Sequence, residues 1–190
     1  MRVEPTSSAR WRRSLDEYCV IAAQAGDRAA LAQLAERWHR RIVAHAWRLT
    51  GDRDAAHDIA QSAWIDIARG LAQLQDERAF PAWTYRIVTR HAGRRIARDK
   101  VSRQRLAPLD DELADPAPCD GEQAADHASL RAAVAALPAI HRAAVALHYF
   151  EELSIAETAV ALGIPANTVK TRIFHARRAL RAKFEGGQDA

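Results

Sequence analysis

The residues best placed to do chemistry lie near the end of the chain. Between Pro165 and Phe184 it carries six basic side chains, Lys170, Arg172, Arg177, Arg178, Arg181 and Lys183, and no acid. Val169, Ile173, Ala176 and Leu180 recur at i, i+4, i+7 and i+11, one apolar stripe on a helix. Asn167, Thr168, Lys170, Thr171, Arg172, Phe174, His175 and Arg178 fall on the other faces. A solvated helix normally mixes charge signs to gain i,i+4 pairs, so an all-positive surface suits phosphate instead. The plain alternative is a basic solvent face on a protein-binding helix. The early residues Asn167, Lys170, Thr171, Phe174 and His175 are placed for base edges. Lys donates to guanine, Asn to adenine, and Phe meets a thymine methyl. Arg172, Arg177 and Arg178 suit phosphates.

A second basic run covers residues 86–105, with eight cationic residues against one acid, Asp99. Arg86, Arg90, Arg94 and Arg98 repeat every four residues and form one stripe. Phe80, Trp83 and Tyr85 stand just upstream. Aromatic rings beside a cationic groove can hold unpaired bases by stacking while their phosphates are neutralised. The competing role for each ring is the core. A third group, Asp52, Asp54, Asp58 and Gln61, shares a helix start with Ile59 and Trp64. The helix dipole alone explains acids there; a paired-carboxylate active site is the sharper reading, which nothing nearby completes, and a protein-docking face is the intermediate one.

Catalysis has little support. The eight histidines lack the i,i+4 pairing around a glutamate that marks a zinc helix. Cys19 and Cys119 form no CxxC or CxxH arrangement, and no phosphate loop or nucleophile elbow occurs. No catalytic residue, metal or cofactor is expected. The basic residues near the N-terminus are followed by no apolar run, and no stretch reaches the roughly 18 apolar residues of a membrane helix. A cytoplasmic protein without membrane insertion is the expectation.

These groups must be positioned by helices. The chain is rich in alanine, a strong helix former. A tail over 1–13 precedes a helix opened by a Ser14-x-x-Glu17 capping box and closed at Gly26-Asp27. Leu31, Leu34, Trp38, Ile42, Ala46 and Leu49 define a second helix ending at Thr50-Gly51. Ile59, Ala63, Ile67 and Leu71 define a third, residues 74–80 read as a loop, and Pro81 opens a fourth. Residues 106–128 then hold seven acids, three prolines and no Lys or Arg. Such a segment buries too little to fold alone. A flexible acidic linker over 101–128 is therefore expected between a module at 14–100 and another at 129–185, with a tail at 186–190. The second module breaks at Pro138, at Glu151-Glu152 and at Gly163-Ile164-Pro165. Ser154 to Glu157 is a second capping box, and Gly163 supplies the turn between two short helices, a helix-turn-helix. The fold expected is all-α.

With these residues laid out, the chain resembles a bacterial RNA polymerase sigma factor of the extracytoplasmic-function (ECF) type. The N-terminal half resembles sigma region 2 in Gly51-Asp52-Arg53-Asp54-Ala55-Ala56-His57-Asp58-Ile59-Ala60-Gln61 and in Phe80-Pro81-Ala82-Trp83-Thr84-Tyr85-Arg86-Ile87. The C-terminal half resembles region 4 in Tyr149-Phe150-Glu151-Glu152-Leu153-Ser154 and in the run from Leu162 to Arg172. The resemblance implies that Asp54, Asp58, Ile59 and Gln61 dock on the β′ clamp helices of core RNA polymerase. It implies that Phe80, Trp83, Tyr85, Arg86, Arg90, Arg94 and Arg98 hold the melted −10 strand. The helix over 165–183 would enter the −35 major groove, and the same module would bind the β flap. The acidic linker would thread polymerase channels. An anti-sigma factor is a further implied partner. Ala55, Ser62, Arg90 and His175 depart from residues frequent in the family. A stand-alone helix-turn-helix regulator of duplex DNA is the alternative reading.

Overall fold

The computed structural model describes residues 7–105 and 122–185, with side chains over 11–101 and 129–184. The described residues contain helices and no strand. Four helices form the first module: α1 (Ser7–Gln24), α2 (Arg28–Thr50), α3 (Arg53–Gly70) and α4 (Phe80–Arg105). The second module has α5 (Glu122–Ala135), α6 (Ala139–Val145) continued by one π-helical turn (Ala146–Phe150), α7 (Ile155–Leu162) and α8 (Ala166–Glu185).

Local chemistry sets the boundaries. Asp27 accepts the N–H groups of Ala29 and Ala30 and thereby starts α2. Asp52 does the same for α3 through Ala55 N–H at 3.0 Å. The expected stripe of α2 is its buried face: Leu34, Trp38, Ile42, Ala46 and Leu49 are all in the core. They pack against Ile59, Ala63 and Ile67 of α3 and against Phe80, Tyr85 and Val88 of α4.

Three expected boundaries move. The helix starts at Ser7, so residues 7–13 are helix rather than tail and Ser14 caps nothing. No Gly or Pro stands between Ser7 and Ser14, so nothing stops the helix from extending through that serine. The stretch read as loop, 74–80, contains one short 3-10 turn, Glu77–Ala79, and Leu71, expected on the third helix, instead opens another, Leu71–Gln73. Residues 101–105 finish α4, and α5 begins at Glu122, inside the expected linker. The remainder of the expected linker, residues 106–121, and the tail at 186–190 lie outside the described residues.

The two modules touch. Leu147, Leu153 and Ala161 of the second share one buried cluster with the core of the first, with α7 lying on α4 and the π turn on α2.

Candidate nucleic-acid interface

The capping box at the start of α7 is formed: Ser154 accepts Glu157 N–H at 3.2 Å, and Glu157 accepts Ser154 N–H at 2.8 Å. α7 ends in a Schellman turn, with Ile164 N–H bonded to Ala159 O and Gly163 N–H to Val160 O. Gly163 sits at φ 65°, where a side chain would be strained. Val169, Ile173 and Ala176 are buried, and Leu180 packs beside them. That stripe anchors α8 and turns its polar faces outward. Asn167, Lys170, Thr171, Phe174, His175 and Arg178 are exposed, and Thr168 and Arg172 half-buried. Phe174, at 62% exposed, has no apolar burial to explain it. His175 stacks on His141 of α6 with ring centres 6.0 Å apart. Thr171 donates to Asn167 O, so its hydroxyl has only acceptor capacity left.

On α4, Arg86, Arg90, Arg94 and Arg98 are all exposed, as their spacing predicts. The stripe is not uniform, however. Arg90 pairs with Asp66 at 3.0 Å, and His91 Nε2 lies 2.8 Å from the same oxygen. That His91 hydrogen bond, with the nearby Arg90 charge, holds the Asp66 carboxyl below the usual range. Arg95 lies off the stripe, bonded through Nε to both oxygens of Asp99 at 3.0 Å.

Two of the three aromatics do not face outward. Phe80 and Tyr85 are fully buried. Phe80 meets Trp38 edge-on at 5.2 Å, and Tyr85 packs on Trp38 and His45. Their place at the first and sixth positions of a packed helix, facing α2, makes them core in this arrangement, so neither ring presents a face to a base. Trp83 is half-buried and lies over Gly70, where an added Cβ would come within 3.0 Å of its ring. It is the one aromatic of the three with an accessible edge.

On α3, Asp54, Asp58 and Gln61 form an exposed line, while Ile59 is 5% exposed and belongs to the core. Ile59 is therefore no contact residue: one step along the helix turns about 100°, enough to carry the neighbour of outward Asp58 into the core. Ile65, four residues beyond Gln61, lies on the exposed line and is 52% exposed. A lone isoleucine fits either face of a helix, so its residue type alone carries no signal of this exposure. Among the described residues no group of three His, Cys, Asp or Glu is arranged to hold a metal. No described helix is long and apolar enough to cross a membrane.

A helical module with a basic stripe, followed by a helix-turn-helix whose second helix is basic and exposed, defines a two-module DNA-binding transcription factor. Residues 34–101 match the family Sigma-70 region 2, and residues 127–180 match Sigma-70, region 4. The chain belongs to the ECF group of RNA polymerase sigma factors. It is 32% identical over 180 residues to the RNA polymerase sigma-H factor of Pseudomonas aeruginosa, covering 87% of this chain and 91% of the relative. It is 30% identical over 170 residues to the ECF sigma factor SigW of Bacillus subtilis, covering 84% and 91%. Its fold is similar to CnrH in complex with the cytosolic domain of CnrY, with TM-score 0.66, 20% identity and coverage of 93% of this chain and 99% of that one. It is also similar to the sigma factor RpoE bound to the anti-sigma factor NepR from Bartonella quintana, with TM-score 0.71, 19% identity and coverage of 81% and 96%.

Proposed function

We propose that this ECF sigma factor binds core RNA polymerase, recognises the −35 and −10 elements of a promoter, and promotes strand separation without a chemical step of its own. The observation that carries it is the outward, acid-free face of α8, held by buried Val169, Ile173 and Ala176. That face reads the −35 duplex: Asn167, Lys170, Thr171, Phe174 and His175 meet base edges, and Thr168, Arg172 and Arg178 meet the backbone. Arg86, Arg90, Arg94 and Arg98 neutralise the −10 strand, and Trp83 is the ring available to stack on its bases. Asp54, Asp58 and Gln61, joined by Ile65, face the β′ clamp helices, and the second module also meets the β flap. The acids in 106–128 suit a channel that otherwise holds nucleic acid. Binding energy from captured bases offsets an unpairing cost of a few kcal/mol. An anti-sigma factor would cover these faces, and the protein acts where polymerase does, in the cytoplasm. No cofactor or metal takes part.

The test is reconstitution with core polymerase on promoter templates. Promoter-specific initiation is expected only when the protein is present. Tight binding to promoter duplex by the protein alone, with core polymerase inactive on every template, would overturn the proposal.

A further inference from the structure

The contact between the modules centres on Glu151. The π turn over 146–150 ends in Glu151, whose N–H bonds back to Ala146 O at 3.1 Å. Glu152 follows in the left-handed region at φ 57° and turns the chain into α7. This geometry drives the Glu151 side chain into the first module, where it is 3% exposed. One carboxylate oxygen accepts Arg48 Nη1 at 2.7 Å, and the other accepts the Tyr85 hydroxyl. Arg41 Nη2 stands 3.8 Å away. His45 Nδ1 lies at the same distance, with a neutral ring. The Arg48 guanidinium also covers the Phe150 ring, 4.7 Å from its centre. Two ties flank the centre: Arg142 Nη2 donates to Leu49 O at 2.9 Å, and Arg13 approaches Glu157 at 3.5 Å.

We infer that Glu151 is an intramolecular latch that closes the second module over the inner face of α4, so that the free chain rests in a shut form and must open before its two modules engage a promoter. The shut form covers Tyr85 from the second module and ties down the hydroxyl of a residue next to the cationic stripe. The latch is polar at its centre, which bears on reversibility. A buried ion pair recovers in attraction little more than it loses in desolvation, so it specifies a geometry more than it adds stability. Arg48 and Arg41 both border solvent, with side chains 25% and 44% exposed, and Glu151 regains water on leaving them. Opening also bares Leu147, Leu153 and Ala161, which share the apolar cluster of the first module, so apolar packing favours the shut form while the polar centre sets its geometry. The purpose assigned to opening rests on the proposed function; the latch does not.

The experiment uses the full chain as wild type, Glu151→Gln and Arg48→Gln. X-ray scattering gives the radius of gyration, circular dichroism the helix content, and titration the affinity for core polymerase. The wild type is expected to be compact. Both variants should expand with helix content retained, and their apparent affinity for polymerase should rise roughly tenfold, because affinity scales with the fraction already open. An extended wild type, or variants as compact as it with unchanged affinity, would overturn the latch. Expansion of the variants with no binding of polymerase by any of the three proteins would leave the latch standing and remove the proposed function.

Discussion

Arg48 and Glu151 are 103 residues apart in the chain, and their side chains meet at 2.7 Å. One comes from the last turn of α2 and the other from the turn after α6, in different modules. A pair this buried couples its two partners strongly. In urea unfolding, the double-mutant cycle of Arg48→Gln and Glu151→Gln is expected to give a coupling of about 1–3 kcal/mol. Additive single changes would show that the pair contributes nothing beyond its parts.

His45 makes stability depend on pH. It is fully buried, and desolvation, aided by the Arg48 charge, lowers its pKa to about 3. The unfolded chain therefore takes up a proton on this ring near pH 6.5 while the folded chain does not, and stability falls as pH drops through that window. Between pH 7 and pH 5 the loss is about 2 kcal/mol. Glu151 acts in the opposite sense: burial pushes its carboxyl up, so what it withholds near neutrality returns as pH falls through that raised value. Comparison with His45→Gln isolates the histidine, since Glu151 is common to both proteins. Urea melts should show wild type losing about 2 kcal/mol more than the variant over this interval; parallel losses would contradict the assignment.

Gly163 is the hinge residue of the helix-turn-helix. No neighbour lies within 4 Å of where its Cβ would be, so only backbone strain opposes a side chain. Gly163→Ala should destabilise the second module by roughly 1–2 kcal/mol. Thermal melts give the measurement, and an unchanged midpoint would refute a strained φ.

Lys170 and Arg178 lie on the same exposed helix, two turns apart. Lys170→Ala is expected to change −35 base preference. Arg178→Ala should weaken binding evenly across sequences and flatten its salt dependence by roughly one unit. Equal effects of both changes on all templates would remove this division of labour.

Arg90 and Arg94 test the uneven stripe. Arg90 already has Asp66 as counter-charge, so its loss should change the salt dependence of DNA binding less than the loss of Arg94 does. Asp66→Asn should raise affinity for any DNA. Identical salt slopes for Arg90→Ala and Arg94→Ala would show that Asp66 releases Arg90 on binding.

Much of the site was legible because it follows helical period. Val169, Ile173 and Ala176 lie one turn apart, and that spacing alone puts Lys170 and Phe174 outside. Phe80 and Tyr85 were harder. An aromatic beside arginines satisfies a stacking site and a helix core equally well until the packing partners, Trp38 and His45, are in place. Ile59 and Ile65 show the same ambiguity, one core and one exposed, in a helix where both positions hold the same residue type.

By itself, the sequence determined two helical modules, the Ser154–Glu157 capping box, the outward faces of α4 and α8, and the family. These depend on interactions within about one turn of chain, or on residue types at fixed spacing. The tertiary structure alone decided that Asp66 compensates Arg90, that Phe80 and Tyr85 are core, and that Glu151 closes on Arg48 and Tyr85. Each of those outcomes pairs side chains at least 24 residues apart, and no local period carries information across such a distance.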